Sequence, residues 1–202
     1  MTVDFNARAR DWDTHDHTDR AHRLAEAIGA VVPLQPDWRL ADIGGGTGLL
    51  ARELGPRVAH VLIVDTSPGM LEVARANTAG DPRYATLEHD LAAAPLPQRV
   101  DALVSSMALH HIPDTDAALR HARASLEPGG WIALADLDAD HAHTFHDDGF
   151  DGHHGIDRHA LADALRSLGF SQVTDRTATT VVKEKHGIRH EHSIFLVTGK
   201  AG

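Results

Sequence analysis

The sequence predicts an α/β fold built on a doubly wound, largely parallel sheet. Short runs of β-forming residues alternate with segments of helical periodicity from residue 39 to residue 136. Such alternation is typical of βαβ units, whose parallel sheets are covered by helices on both faces. About five repeats are too few for an eight-stranded barrel, and right-handed crossovers then favour an open doubly wound sheet.

The individual elements follow from apolar spacing and from turn residues. Apolar residues recur at three- and four-residue spacing over residues 21–28, which predicts an amphipathic helix that ends before Pro33 and Pro36. The predicted strands cover residues 39–43, 58–64, 85–89, 101–106 and 131–135. The helices between them cover residues 48–54, 69–77 and 117–126.

The alternation stops after Asp136. Residues 137–157 are rich in Asp, His and Gly without a period, and an unstructured stretch of this length is typical of a functional lid or an insertion. A helical pattern returns at residues 158–165, and two β-type runs, 172–182 and 193–198, are close enough to pair as an antiparallel hairpin. We therefore predict one domain over residues 1–202, with an N-terminal helical cap over 1–36 and a lid over 137–157.

Composition excludes several classes of function. The 202 residues are 42% hydrophobic, enough for one domain with a full core, and the absence of cysteine excludes disulfides, thiolate metal sites and a cysteine nucleophile. The net charge of −10 without a basic patch argues against nucleic-acid binding. The chain has neither a signal-peptide pattern at its start nor an apolar run approaching about 18 residues. We therefore expect a cytoplasmic monomer or homodimer without a membrane partner.

A glycine-rich turn follows the first predicted strand. Gly44, Gly45 and Gly46 lead into a helix, where glycine lets the backbone approach a ligand and the helix N-terminus offers free N–H groups. The run Gly46-Thr47-Gly48-Leu49-Leu50-Ala51 also fits the dinucleotide fingerprint with alanine in its last place, and Asp65 lies 19 residues after Gly46. The loop alone therefore leaves a nicotinamide site and a ligand-free turn open.

Acids at three strand ends point to a different ligand. Asp42 precedes the glycines, where a carboxylate repels a pyrophosphate and attracts an ammonium group. Asp65 ends the second strand and could accept both hydroxyls of a ribose. Asp90 ends the third strand and could accept from an adenine amino group while the N–H of Leu91 donates to a ring nitrogen. A ligand that is cationic at one end and adenosyl at the other matches these residues.

The sequence resembles the class I S-adenosylmethionine-dependent methyltransferases, in particular the small bacterial single-domain type. The resemblance covers nearly the whole chain, and its motifs are jointly specific in this order and spacing. They are Leu40-Ala41-Asp42-Ile43-Gly44-Gly45-Gly46-Thr47-Gly48, Val64-Asp65-Thr66-Ser67-Pro68-Gly69-Met70, Asp90-Leu91, Ser105-Ser106-Met107-Ala108-Leu109-His110-His111-Ile112 and Leu126-Glu127-Pro128-Gly129-Gly130. The resemblance implies a Rossmann-like seven-stranded sheet, mostly parallel with an antiparallel last strand, and S-adenosylmethionine as cofactor.

The resemblance also implies roles for individual residues. Asp42 and the loop of Gly44, Gly45 and Gly46 would hold the methionine part of the cofactor. The adenosine would be held by Asp65 at the ribose and by Asp90 and Leu91 at the adenine. Thr66 and Met70 belong to the same predicted cofactor-binding set, and Met70 would either stack beside the adenine or pack in the core. Ser106 would lie near the reacting methyl group, and the segment around Trp12 would fold over the cofactor.

The histidines of the predicted lid allow three interpretations. They could belong to a solvated cover, bind a metal, or face the substrate. We predict no metal site, because a flexible run defines no ligand geometry and no supporting second set of contacts. The resemblance places acceptor recognition between the fifth strand and the next helix, so His154 and His146 are the candidate catalytic residues, each as general base or orienting group.

The leading hypothesis is a methyltransferase that acts on a small-molecule acceptor. A nicotinamide-dependent oxidoreductase is a first alternative, but it would need a Tyr-x-x-x-Lys pair, and the only tyrosine, Tyr84, is followed four residues later by Glu88. A cofactor-binding regulatory protein without catalysis is a second alternative, because binding and catalysis are separable.

Overall fold

The computed structural model describes residues 4–202, which contain a seven-stranded sheet in the order β3-β2-β1-β4-β5-β7-β6. The strands are β1 (Arg39–Ile43), β2 (His60–Asp65), β3 (Tyr84–Glu88), β4 (Val100–Ser106), β5 (Leu126–Leu137), β6 (Phe170–Lys185) and β7 (Ile188–Ala201). Six of these described strands run in one direction, and β7, which lies between β5 and β6, runs antiparallel to both of them. The predicted fold is confirmed, including the antiparallel last strand and the terminal hairpin.

Side-chain caps define where most of the helices begin. The helices are α1 (Phe5–Arg8), α2 (His15–Gly29), α3 (Leu49–Leu54), α4 (Pro68–Asn77), α5 (Thr115–Ala124) and α6 (Arg158–Ser167). The side chains of Thr14, Ser67, Asp114 and Asp157 accept from backbone N–H groups in the first turns of α2, α4, α5 and α6. Such caps satisfy N–H groups that have no partner inside the helix.

The helices cover the sheet on both faces because successive strand residues point to opposite sides. Leu40 of β1 packs in a buried cluster with Leu24 and Ile28 of α2 and with residues of α3 and α4. Its neighbour Ala41 belongs to a second cluster, which contains Leu161 of α6 and residues of α5. The two clusters form a core on each side of one sheet.

The strand order reverses beside β1, and this reversal positions the site. The chain runs from β1 outward through β2 to β3, and then crosses to β4 on the other side of β1. In open parallel sheets such a reversal leaves a crevice at the carboxyl ends of the strands, where ligands bind.

The terminal hairpin extends farther than the sequence indicates. Only residues 194–200 of β7 pair with β5, whereas β6 and β7 pair with each other from Phe170 and Ala201 to Lys185 and Ile188. The distal half of the hairpin therefore projects beyond the sheet as a two-stranded arm. The turn at its tip uses His186 and Gly187, both with positive φ.

The segment between β5 and α6 has no helix or strand, but it is tied to its surroundings. The carboxylate of Asp140 accepts from the N–H groups of Thr144 and Phe145 at 2.7 and 2.8 Å. Lys185 on the arm donates to the carbonyl oxygens of His143 and His146, both at 2.8 Å. The role of residues 137–157 as a lid stays a prediction.

The N-terminal part of the chain folds into α1 and α2, which lie over the crevice. The first three residues of the predicted cap lie outside the described residues. None of the helices within residues 4–202 combines the length and apolar character needed to cross a membrane.

Candidate functional site

A cavity of about 290 Å³ lies in the crevice at the carboxyl ends of β1, β2, β3 and β4. Every residue predicted to bind the cofactor lines it, with the exception of Asp42. The lining residues among the predicted set are Gly44, Gly45, Gly46, Asp65, Thr66, Met70, Asp90, Leu91 and Ser106. The fold thus brings together residues that the sequence places in four separate loops.

Asp65 ties the glycine turn to the second strand. One oxygen of its carboxylate accepts from the N–H of Gly46 at 2.9 Å, and the other accepts from the N–H of Ser67 at 2.8 Å. Burial raises the pKa of Asp65, while these backbone N–H groups oppose the rise. Each carboxylate oxygen can accept more than one hydrogen bond, so Asp65 retains acceptor capacity toward the cavity that it lines.

Asp42 lies beneath the turn instead of on the cavity wall. Its side chain is 1% exposed, and neither carboxylate oxygen has a hydrogen-bond partner within residues 4–202. Burial, together with the negative charge of Asp65, raises its pKa to about 7, although the backbone N–H of Ala51 approaches the carboxylate and opposes the rise. A buried carboxylate without a partner is costly, and an arriving cation would lower that cost.

The glycines are required where the backbone turns over Asp42. Gly44 has φ +65°, and a Cβ there would lie 2.3 Å from the Cβ of Ala108. Gly48 has φ +84°, and a Cβ there would lie 2.9 Å from Ile63. Gly44 thus lets the loop pass close to the chain after β4, whereas Gly48 serves the packing of α3 on the sheet.

The residues predicted to hold the adenine, Met70, Asp90 and Leu91, also line the cavity. An oxygen of the Asp90 carboxylate accepts from the N–H of Ala92 at 2.8 Å, which fixes the turn after β3. Met70 of α4 is 2% exposed and still lines the cavity, so it serves both as core and as wall.

The N-terminal segment covers the cavity. Phe5 and Trp12 line it and contact each other edge to face at 5.7 Å between ring centroids. The adjacent Asp13 accepts from the Thr47 hydroxyl and from the side-chain amide of Asn77 at 3.1 Å. These bonds fasten the cover to the glycine turn, and the folding of the segment around Trp12 over a cofactor stays a prediction.

Arg20 lines the cavity and was missed by the sequence analysis. Burial lowers the pKa of its guanidinium, with Asp136 and Asp16 opposing, and no salt bridge joins it to another residue in the described chain. The sequence pattern could have identified Arg20, because this cation lies on the same face of α2 as Ala21 and Leu24, inside the apolar stripe. A cation on a buried helix face is unusual unless it meets an anion.

Histidines surround the end of the cavity after β4. His111 lines the cavity, and the neighbouring His110 is buried, with its Nδ1 atom 2.5 Å from a carboxylate oxygen of Asp136. His146 lies against His110, with 5.0 Å between ring centroids. His154 stacks on His143 at 3.7 Å and lies 6.0 Å from His146. Neither predicted catalytic residue, His146 or His154, is among the residues that line the cavity.

The family follows from comparison of the sequence with known families. The profile of the family described as "Methyltransferase domain" matches residues 15–175. The chain belongs to this methyltransferase family. An uncharacterised methyltransferase from Mycobacterium bovis is 37% identical over 124 residues, which cover 61% of this chain and 59% of that protein. The match covers 29% of the length of the biotin biosynthesis bifunctional protein BioCD from Bordetella avium, so the chain spans less than two thirds of the length of either curated relative.

Solved structures show the same fold. A methyltransferase from Haloferax volcanii, solved in complex with its activator Trm112, superposes with a TM-score of 0.79 at 21% identity, covering 100% of this chain and 99% of that one. DhpI in complex with S-adenosylhomocysteine has a TM-score of 0.71 at 22% identity, covering 98% and 93% of the two chains. The expected class I methyltransferase fold of this domain is therefore confirmed.

The unpartnered carboxylate of Asp42 predicts a stability effect. Its pKa is higher in the folded than in the unfolded protein, so the folded state is disfavoured as pH rises through the window from about 4 to 7. Asp42→Asn should therefore raise the free energy of unfolding by about 2–4 kcal/mol at pH 8 and by much less at pH 5. Urea denaturation of both proteins at each pH measures the difference. A variant less stable than the native protein at pH 8 would show that the carboxylate is compensated in the folded state.

Proposed function

We propose that this methyltransferase domain binds S-adenosylmethionine and transfers its methyl group to a small-molecule acceptor. The observation that carries the proposal is the carboxylate of Asp42, which is buried without a hydrogen-bond partner under the glycine turn. Asp65 and Asp90 line the cavity on the other side of that turn. Acids at these places suit a ligand that carries positive charge and an adenosine. The pyrophosphate of a nicotinamide dinucleotide would meet repulsion at the same turn.

The cavity residues that were predicted to hold the adenosine fit that group. The ribose hydroxyls would donate to Asp65, whose two oxygens are already oriented by Gly46 and Ser67. The adenine would lie near Met70, with Asp90 accepting from its amino group and the Leu91 N–H donating to a ring nitrogen. Thr66 also lines the cavity.

The methionine end requires a partner for each of its two charges. The ammonium group would lie over the turn of Gly44, Gly45 and Gly46, where the charge of Asp42 attracts it. The carboxylate would pair with Arg20, the unpaired cation on the opposite wall. Opposite charges on the two walls would thus orient the amino acid.

The chain's contribution to the reaction is to align the acceptor and exclude water. When bound, the cofactor supplies an electrophilic methyl carbon on a sulfonium, and the carbon–sulfur electron pair leaves with sulfur. Phe5 and Trp12 cover the site, and Ser106 with Met107 and Ala108 forms the wall beside the proposed methyl position. Met107 holds a positive φ there, and its N–H donates to Ala135 at 2.8 Å, which fixes that wall.

A small acceptor fits this arrangement better than a macromolecule. The N-terminal segment closes over the cavity, and the net charge of −10 disfavours nucleic acid. The acceptor would approach from the end lined by His111. His146 would orient it from behind His111, and His154 would act as a positioning residue through its edge contact with His146. A binding protein without catalysis would use the same cofactor wall but would not need this histidine end.

The two ends of the proposed cofactor can be tested separately by calorimetry. Asp65→Ala removes two charge-assisted hydrogen bonds to the ribose and should weaken S-adenosylhomocysteine and 5′-methylthioadenosine alike, by about 100-fold. Arg20→Met should weaken S-adenosylhomocysteine at least tenfold and leave 5′-methylthioadenosine within about twofold, because only the former carries a carboxylate.

Matched controls are available for both variants. Glu88 ends the adjacent strand and is paired with Asp65 in the sheet, but it does not line the cavity, so Glu88→Ala should leave both affinities unchanged. Arg23 lies on the exposed side of α2 in an ion pair with Asp19, so Arg23→Met is the matched control for Arg20→Met and should leave both affinities unchanged. Equal losses for both ligands in Arg20→Met would contradict the proposed place of the carboxylate.

The histidine end is tested by turnover once an acceptor has been found in a panel of alcohols, amines and acidic carbon compounds. His146→Ala should lower kcat at least tenfold and His154→Ala by less, while cofactor affinity changes less than about threefold, because neither residue lines the cofactor wall. His159→Ala, an exposed histidine of α6, is the control. Normal turnover in both variants would remove His146 and His154 from the acceptor site.

A further inference from the structure

Three histidine rings converge beside the cavity although they come from distant parts of the chain. His110 and His111 follow β4, whereas His146 lies in the segment between β5 and α6. Each ring offers one nitrogen as a metal ligand, and the three nitrogens all lie within 4.8 Å of one another. The sequence alone shows no such group, because two of its members lie outside the histidine-rich run.

A buried carboxylate supports the first of these rings. Asp136 is 0% exposed and His110 is 2% exposed. One oxygen of Asp136 is 2.5 Å from Nδ1 of His110, and the other accepts from the backbone N–H of His110 at 3.2 Å. In the neutral tautomer with its proton on Nδ1, His110 would keep this contact and have the Nε2 lone pair available for a metal ion. Carboxylates hold metal-binding histidines in this way.

The third ring is also held in place, and one of its nitrogens lacks a partner. His146 stacks on Phe150 with 3.8 Å between ring centroids and an interplanar angle of 7°. Its carbonyl oxygen accepts from Lys185 at 2.8 Å, which anchors the backbone. Nδ1 of His146 is buried and has no hydrogen-bond partner in the described chain. Such an atom needs a partner that the described chain does not supply, and a water molecule or an ion can be that partner.

We propose that His110, His111 and His146 bind a divalent transition-metal ion of the zinc type. Three imidazoles complete all but one position of a tetrahedral site, and the remaining position would be open to water or to an acceptor oxygen from the cavity that His111 lines. Tetrahedral zinc–nitrogen bonds of about 2.1 Å set ligand nitrogens roughly 3.4 Å apart, so binding would draw the ligand atoms together from separations of up to 4.8 Å.

Titration of the chelator-treated protein with Zn²⁺ alone tests the site. One equivalent should bind and raise the melting temperature, since the folded protein holds the ligands together. His146→Ala and, separately, His111→Ala should each weaken binding at least 100-fold. His141→Ala removes an exposed histidine from the same segment and should change the affinity less than about threefold. The use of two ligand variants keeps the test valid if one of them fails to fold.

Co²⁺ provides a spectroscopic readout of the same site. It should give the strong visible absorption of a four- or five-coordinate ion in the native protein and in His141→Ala, and lose it in both ligand variants. Absence of binding would overturn the proposal, and so would binding that is equally strong in all variants, which would show adventitious capture by surface histidines. Since neither experiment contains S-adenosylmethionine, their failure would leave the proposed methyl transfer standing.

Discussion

The burial of one carboxylate under a turn without side chains is the constraint on which the site depends. Asp42 is on a central strand between β2 and β4, so its charge lies in the core at the strand end. Because the turn above it consists of glycines, a cationic group can approach that charge closely from the cavity. The same burial disfavours the charged form of Asp42 in the free protein. Part of the ligand's binding free energy would therefore come from relieving the cost of the buried charge.

The other parts of the site are connected through this turn. Asp65 holds the N–H of Gly46, and Asp13 holds the hydroxyl of Thr47 in the same loop. The first contact joins the turn to β2, and the second joins it to the N-terminal cover. The turn therefore links the strand that carries Asp65 to the segment that carries Phe5, Trp12 and Arg20, all of which line the cavity.

Local patterns predicted the sheet and most of the cofactor wall well. The parallel strands have apolar runs that end at an acid or a glycine, so their positions follow from the sequence within a few residues, as for β1 and β2. The strands of the arm were predicted too short, because outside the sheet their exposed faces lack the apolar alternation that marks a half-buried strand. The place of Asp42 beneath the turn depends on which way a strand residue faces, and the sequence motif does not contain that information.

Contacts between segments that are distant in the chain could not be predicted from the sequence. His110 and His146 are 36 residues apart, and their approach depends on the path of the segment after β5, which Asp140 and Lys185 determine through hydrogen bonds to backbone groups. Arg20 is recognisable as a cation on an apolar helix face, but its meeting with the cavity requires knowledge of how α2 packs on the sheet.

The central claim is that the cavity is built for a cationic adenosyl ligand. Parallel calorimetric titration of the protein with S-adenosylmethionine, S-adenosylhomocysteine and NAD tests it most directly, before any acceptor is known. The first two ligands should each bind at one equivalent, and NAD should show no detectable binding, because the acids at the turn repel its pyrophosphate. Binding of NAD with neither adenosyl amino acid bound would contradict a site built for a cationic adenosyl ligand.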